Sequence, residues 1–354
     1  MNGPTTRCLI VFGHLLALSL MISPAHASRD QTEHWTLNLY IENDLFSETD
    51  QDYTNGIRAS WVSPDLADYL EDPALPGWIR TINKRLKFFH KQKDGLKRNA
   101  IASIGQTIYT PQDLNRTDII EDDRPYAGWL FFSMAYQTRN DDQLDSLEAS
   151  FGVVGPAAFG QEAQDFIHDL RGFEKFRGWD NQLSNEVRVI LLWEHKRKHK
   201  YIYNANSRFG FDLIDHGGIS LGNVRTYLNA GAEMRVGWAI LNDFGTSALR
   251  PGGDNTTPDV IWDPRQSVDR NWGMHAFVSF DARLVGHDIF LDGNSFRESH
   301  SVTKESIVLD GAVGLSIMYR GIKVSYAHIF RSKEFTQQRH SHSYGSLAFP
   351  YTFR

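Results

Sequence analysis

Apolar and polar residues alternate with period two along most of the chain, the pattern of strands with one apolar and one polar face. In 35–41 the odd positions are Trp35, Leu37, Leu39 and Ile41, and between them lie Thr36, Asn38 and Tyr40. The beat returns as Val187, Val189, Leu191 and Trp193 against Arg188, Ile190 and Leu192, and as Met274, Ala276, Val278 and Phe280 against His275, Ser279 and Asp281. A last run carries Leu347, Phe349, Tyr351 and Phe353. With 53–63, 99–108, 126–138, 147–153, 201–213, 224–236, 307–317 and 322–330, the pattern predicts twelve strands.

An even count, strand lengths of about 9–14 residues and an aromatic C-terminal strand fit an all-β fold, a twelve-stranded antiparallel transmembrane β-barrel. A periplasmic β-sandwich is the alternative. Its core would have to hold Arg188, Arg225, Glu233, Arg235, Asp281 and Lys323, where unpaired charge is expensive. A barrel lumen wets them.

The first 27 residues read as a secretory signal: Arg7, then the apolar run 8–22, then Ala25-His26-Ala27 before Ser28. The run is shorter than the roughly 20 residues a membrane anchor needs. Residues 1–27 are therefore expected to be a cleaved peptide and 28–354 a single outer-membrane barrel, acting as a monomer. Cys8 is the only cysteine, so the mature chain would have no thiol for a disulfide, a cysteine zinc site or a nucleophile. Lys and Arg number 37 against 43 Asp and Glu, a net charge of −6, which argues against a binder of nucleic acid.

An N-terminus on the periplasmic side and alternating strand directions assign the links to sides. Links 140–143, 196–200 (KRKHK) and 319–321 are expected as short periplasmic turns, with longer insertions at 64–98 and 239–271. The links 46–52, 109–125, 155–183, 214–222, 286–304 and 332–340 fall outside the cell. In 155–183, Gly160 to Arg171 reads as a helix with Gly172 as its stop. Gln164 and His168 are four apart on one face, and Ala163, Ile167 and Leu170 form the opposing apolar face. Folded against the rim with its polar side inward, such a helix makes a cleft open to the outer leaflet.

Several segments together resemble the LpxR family of outer-membrane lipid A 3'-O-deacylases: ENDLF, DYTNG, GQTIYTP with Asn115-Arg116, DRPYAGW, and GPAAFGQEAQDFIH followed by GFEKFRGWDNQLSNE. The resemblance runs from about residue 35 to the C-terminus and is most specific over 35–200. It implies a twelve-stranded barrel, dependence on Ca2+, and removal of the 3'-linked acyloxyacyl chain from the lipid A of lipopolysaccharide. Carried over, Asn43 and Asp44 match the family's Asn-Asp pair, Thr54 a strand-2 hydroxyl, Arg116 a basic position, and Gln164 and His168 the helix pair. Arg at 116 stands where Lys is expected, keeping the charge but changing the hydrogen-bond geometry. The 64–98 insertion is longer than the family leads one to expect.

The residue types suit that chemistry. Ester hydrolysis needs an activated water and a group to hold the oxyanion, and a neutral imidazole is the usual base. His168 is the best-placed candidate, although a lone histidine is more often structural. Asp44 could ligate a hard cation or orient His168, and Asn43 offers a carbonyl oxygen of the kind calcium takes; an Asn-Asp pair after a strand is also ordinary turn chemistry. Thr54 could support the oxyanion or act as a nucleophile, against an ordinary strand role. Gln164 would position water or a metal ligand, and Arg116 would bind a lipid A phosphate. A phospholipase A-like barrel using Thr54 and a non-catalytic porin or binding barrel are the competing readings. The basic run 196–200 reads as a solvated turn, and no histidine spacing matches a zinc site.

Overall fold

The computed structural model describes residues 34–44, 52–85, 95–203, 208–246, 272–319 and 322–353. The expected signal segment lies outside them. Twelve antiparallel strands close into one barrel: β1 Trp35–Asn43, β2 Asp52–Val62, β3 Lys97–Thr110, β4 Ala127–Arg139, β5 Gln143–Val154, β6 Glu186–Tyr203, β7 Phe209–Gly222, β8 Arg225–Trp238, β9 Trp272–Asp288, β10 Ile307–Tyr319, β11 Ile322–Arg331 and β12 His342–Phe353. Pairing of β1 with β12, from Trp35 opposite Phe353 to Asn43 opposite Gly345, closes the ring and leaves no free sheet edge.

Alternation decides which side faces in. Arg58 on β2 donates to Ser103 on β3 (3.0 Å) and to Glu148 on β5 (3.2 Å). Strands β3 and β4 lie between β2 and β5, so that ion pair spans the interior. The opposite parity carries Val187, Leu191, Trp193, Met274, Val278, Leu315 and Ile317, all exposed. Apolar side chains thus form the outer surface that hydrocarbon would cover, and polar ones fill the lumen.

The lumen is packed. Arg235 pairs with Asp212 at 2.7 Å and with Asp243, Lys323 reaches Asp243 at 2.7 Å, and Arg331 holds Asp310 at 2.8 Å. Trp129, Phe131 and Phe277 add an apolar layer. Within this filling lies a cavity of about 140 Å³, lined by charged groups that include Glu42, Arg58 and Arg283.

Two of the expected links are strand. β6 runs 18 residues, straight through 196–200. Lys196 and Lys198 turn inward and are buried, Lys196 on Glu194 at 3.0 Å and Lys198 on Asn242 at 2.5 Å, so the basic run is no solvated turn. The expected outer link 214–222 belongs to β7, and only Asn223 and Val224 separate it from β8. At 140–142 the expected turn is present: the Asn140 side-chain oxygen accepts from the N–H groups of Asp142 and Gln143, an Asx turn.

Both insertions have packing roles. Residues 64–85 include helix α1 (Gly77–Arg85), and Leu66, Tyr69, Leu75 and Ile79 form a cluster with Ala100, against which Met134 and Tyr136 pack. Asn83 is wholly buried and donates to the Tyr69 carbonyl at 2.6 Å. Of 239–271, the part up to Thr246 is described. It enters the lumen, where Asp243 meets Arg235 and Lys323, and the Lys198 ammonium sits 4.6 Å from the centre of the Phe244 ring.

Candidate active site

Helix α2 spans Gly160–Arg171, as the sequence predicts. Its ends are set by backbone geometry: Phe159 is left-handed (φ 55°) at the start and Gly172 (φ 71°) at the end. The N–H groups of Gly172 and Phe173 both reach the His168 carbonyl, closing the last turn.

The helix lies against the outside of the barrel wall. On β3 the lumenal parity is that of Ser103, so Gln106 and Ile108 point outward. Gln106 donates its amide to the carbonyls of Ala158 (2.5 Å) and Phe159 (3.2 Å), pinning the entry to α2. Gly128 on β4 permits the closest approach, since a Cβ there would sit 3.0 Å from the Gly160 Cα. Around this contact Ile108, Tyr126, Ala163, Phe176 and Trp179 form a small apolar cluster, with Leu114 packed on it. Burial in it pushes the Tyr126 phenol up to about 12, so that group stays neutral.

The buried face of α2 carries Gly160, Ala163, Gln164 and His168. The polar pair is on this buried face. Ala163, expected on the opposing face, is buried beside it, and Leu170 stands 73% exposed. Phe159 before the helix and Phe173 after it are exposed as well, so apolar side chains stand open at both ends of α2.

His168 is 2% exposed, with Phe173 and Phe176 edge-on to its ring at 6.0 and 5.8 Å between centres. Its Nδ1 lies 2.5 Å from the Glu174 carbonyl oxygen. A carbonyl oxygen only accepts, so Nδ1 carries the proton, and in the neutral ring Nε2 holds the lone pair. Gln164 is also 2% exposed, yet neither its amide nitrogen nor its oxygen meets a hydrogen-bond partner among the described residues. A buried amide in that state costs about 1–3 kcal/mol, so it calls for an explanation beyond packing.

Strand register relates the other candidates to α2. Asn43 is opposite Asn55, Asn55 opposite Ile108, and Ile108 opposite Gly128, the residue that touches Gly160. Directly opposed residues share a face, so this rung lies on the outer side with α2. Three strand spacings put Asn43 roughly 14 Å from Gly128, and Ile108 under Ala163 lies between them. Asp44 follows Asn43 and is wholly buried. In β2 the register shifts between Tyr53 and Asn55, at Thr54; the side chain of Thr54 lies outside the described residues.

Arg116 is not drawn into this group. It is held by Asp118 in a two-bond pair, 2.9 and 2.5 Å, on an exposed loop. The supporting residues Gln106, Gly128, Phe176 and Trp179 were missed as site residues. The available signal was Gln106 itself, a polar side chain flanked in its outward row by Ala100, Ala102, Ile104 and Ile108.

Among the described residues no group of three or more His, Asp or Glu side chains is placed to hold a metal. Asp44, Asn43 and Gln164 do offer oxygen donors, one carboxylate and two amides, which suits a hard cation whose other ligands are carbonyls, water or substrate.

The sequence pattern of the family described as Outer membrane protein LpxR matches residues 14–353. No curated protein matches the chain as a relative. Among solved structures the chain is similar to LpxR from Salmonella typhimurium, with TM-score 0.69 and 18% identity over 90% of this chain and 100% of that one. The beta domain of the Bordetella autotransporter Brka aligns at TM-score 0.41 and 7% identity, covering 92% of this chain and 100% of that one. By its match over nearly the whole length, the chain belongs to the LpxR family of outer-membrane proteins.

Proposed function

We propose that this barrel is a lipid A 3'-O-deacylase, an esterase that removes the 3'-linked acyloxyacyl chain from lipopolysaccharide in the outer leaflet. The observation that carries the reading is His168, buried on α2 against the outer wall with its Nδ1 proton committed to the Glu174 carbonyl. Nε2 is then the basic atom, on the side of the barrel where lipid lies. In the proposed reaction a water oxygen bonds to the ester carbonyl carbon while its proton passes to His168 Nε2. The tetrahedral intermediate collapses by breaking the bond to the sugar oxygen, and His168 returns the proton to that oxygen.

Gln164 would orient the water, using the amide atoms that have no hydrogen-bond partner among the described residues. Asn43 and Asp44 would hold a calcium ion, which when bound would stabilise negative charge on the ester oxygen. Thr54 is assigned a supporting place beside them; Arg116 would reach a substrate phosphate only by leaving its pair with Asp118. The packed lumen, with Asp243 and its partners inside it, favours this reading over a porin. A closed ring with no free strand edge favours a monomer.

Mass spectrometry of lipid A from cells producing the wild type or His168→Ala tests the reading, with membranes also assayed in calcium and in chelator. Loss of one acyloxyacyl group only with intact His168 and free calcium is expected. Intact lipid A from a folded wild-type barrel would refute the deacylase; hydrolysed glycerophospholipid in its place would identify a phospholipase.

A further inference from the structure

Beside α2, two loops enclose a cleft of about 540 Å³, within the range of small-molecule sites. One wall is the β3–β4 loop, with Asn115, Arg116 and Asp122; the other is the β11–β12 loop, with Gln337 and Arg339. Leu114, Ile120 and Phe335 supply an apolar floor.

The walls are fixed in place before anything binds. Arg124 from one loop and Glu334 from the other form a buried ion pair at 2.6 Å. The Asp123 carboxylate accepts from the Gln112 N–H at 2.8 Å, and the Gln338 side-chain oxygen accepts from the Glu334 N–H at 2.7 Å. Asp122, Gln337 and Arg339, by contrast, make no side-chain hydrogen bond among the described residues.

The chemistry of the lining selects among ligands. Carboxylate, amide and guanidinium groups each present two polar atoms side by side, which match adjacent hydroxyls that both donate and accept. The apolar floor suits the C–H face of a sugar ring. Free phosphate is disfavoured: Arg116 is already engaged by Asp118, and Arg339 is outnumbered by Asp113, Asp122 and Asp123. The cleft also adjoins the proposed base. Leu114 lines it and packs on the cluster containing Phe176, whose ring is 5.8 Å from that of His168.

We propose that this cleft binds the saccharide of the substrate, an inference that rests on the deacylase reading, with Asp122, Gln337 and Arg339 as its uncommitted contacts. Sugar binding here would place the ester at α2, so binding energy from a non-reacting part of the molecule positions the reacting one.

Calorimetric titration of the detergent-solubilised barrel with acyl-free oligosaccharide, prepared by alkaline deacylation of lipopolysaccharide, tests this without turnover. The wild type is expected to bind it, and Asp122→Ala and Arg339→Ala each to weaken it about tenfold. Inorganic phosphate is expected not to displace it. In deacylation assays the same variants should lower kcat/KM for sugar-bearing lipid about tenfold and leave kcat/KM for a sugar-free ester unmoved. No binding by the wild type, equal binding by both variants, or full displacement by phosphate would overturn the proposal. A barrel that binds the oligosaccharide but hydrolyses no lipid A would sink the esterase reading alone.

Discussion

In the lumen, Asp243 is wholly buried and is matched by Arg235 and, at 2.7 Å, Lys323. On the outer wall, Gln164 is buried almost as deeply and its amide meets no partner among the described residues. Both regions hold polar groups away from water, where each must be satisfied or cost stability. Paired charge at Asp243 in the first holds the inserted segment 239–246 in the barrel. In the second, a buried amide without a hydrogen-bond partner among the described residues is available to water, metal or substrate. The contrast separates side chains that hold the fold from those proposed to act.

Substitutions should respect that division. The largest effect is expected at His168→Ala, where deacylation should fall about 10²–10⁴-fold while the unfolding midpoint of the barrel stays put. Rates per folded barrel and urea unfolding in detergent check both halves. Asp243→Ala should do the reverse: by leaving Arg235 and Lys323 buried without their shared acceptor, it should lower stability by about 3–5 kcal/mol, with the rate per folded barrel unchanged. Gly128→Ala tests the docking of α2. Its Cβ would meet the Gly160 Cα and N at 3.0 and 3.1 Å, and a shift costing about 1–3 kcal/mol should cut turnover with little effect on barrel unfolding.

The smallest effect concerns acid. Burial alone would raise the Glu334 carboxyl, but Arg124, Arg331 and Arg225 outweigh burial and hold it below the usual carboxylate range. A pKa depressed in the folded state gives stability that is present above the unfolded value, about 4.3, and lost as pH falls through the folded one. Hydrogen exchange in 332–340 should therefore show equal opening stability at pH 7 and 5 and weaker protection below about 4. Glu334→Gln should flatten that dependence.

The barrel was legible because its outward rows are apolar and its inward rows polar over twelve segments, a signal that repeats with every strand. It failed where both faces turn polar. Beyond Glu194, β6 places Lys196 and Lys198 inside and leaves Arg197 and Lys200 exposed, so strand and turn read alike. In β7, Asp215, His216, Gly217 and Gly218 hide a strand for the same reason. Helix α2 was legible to the residue from its periodicity and Gly172. Its docking on the outer wall was not, because that depends on the register bringing Gln106 and Gly128 to one face beneath it. The pairing of Arg116 with Asp118, two residues along, likewise answers to local loop geometry that no spacing rule predicts.

Gln164→Leu tests the division most directly, with deacylation rate and unfolding midpoint measured on the same preparation. Leucine fills similar space and removes an amide that no described residue pairs. The account predicts a rate at least about tenfold lower with stability unchanged or higher by up to ~1 kcal/mol. A variant that keeps its rate and loses stability would make Gln164 a packing residue and contradict the account.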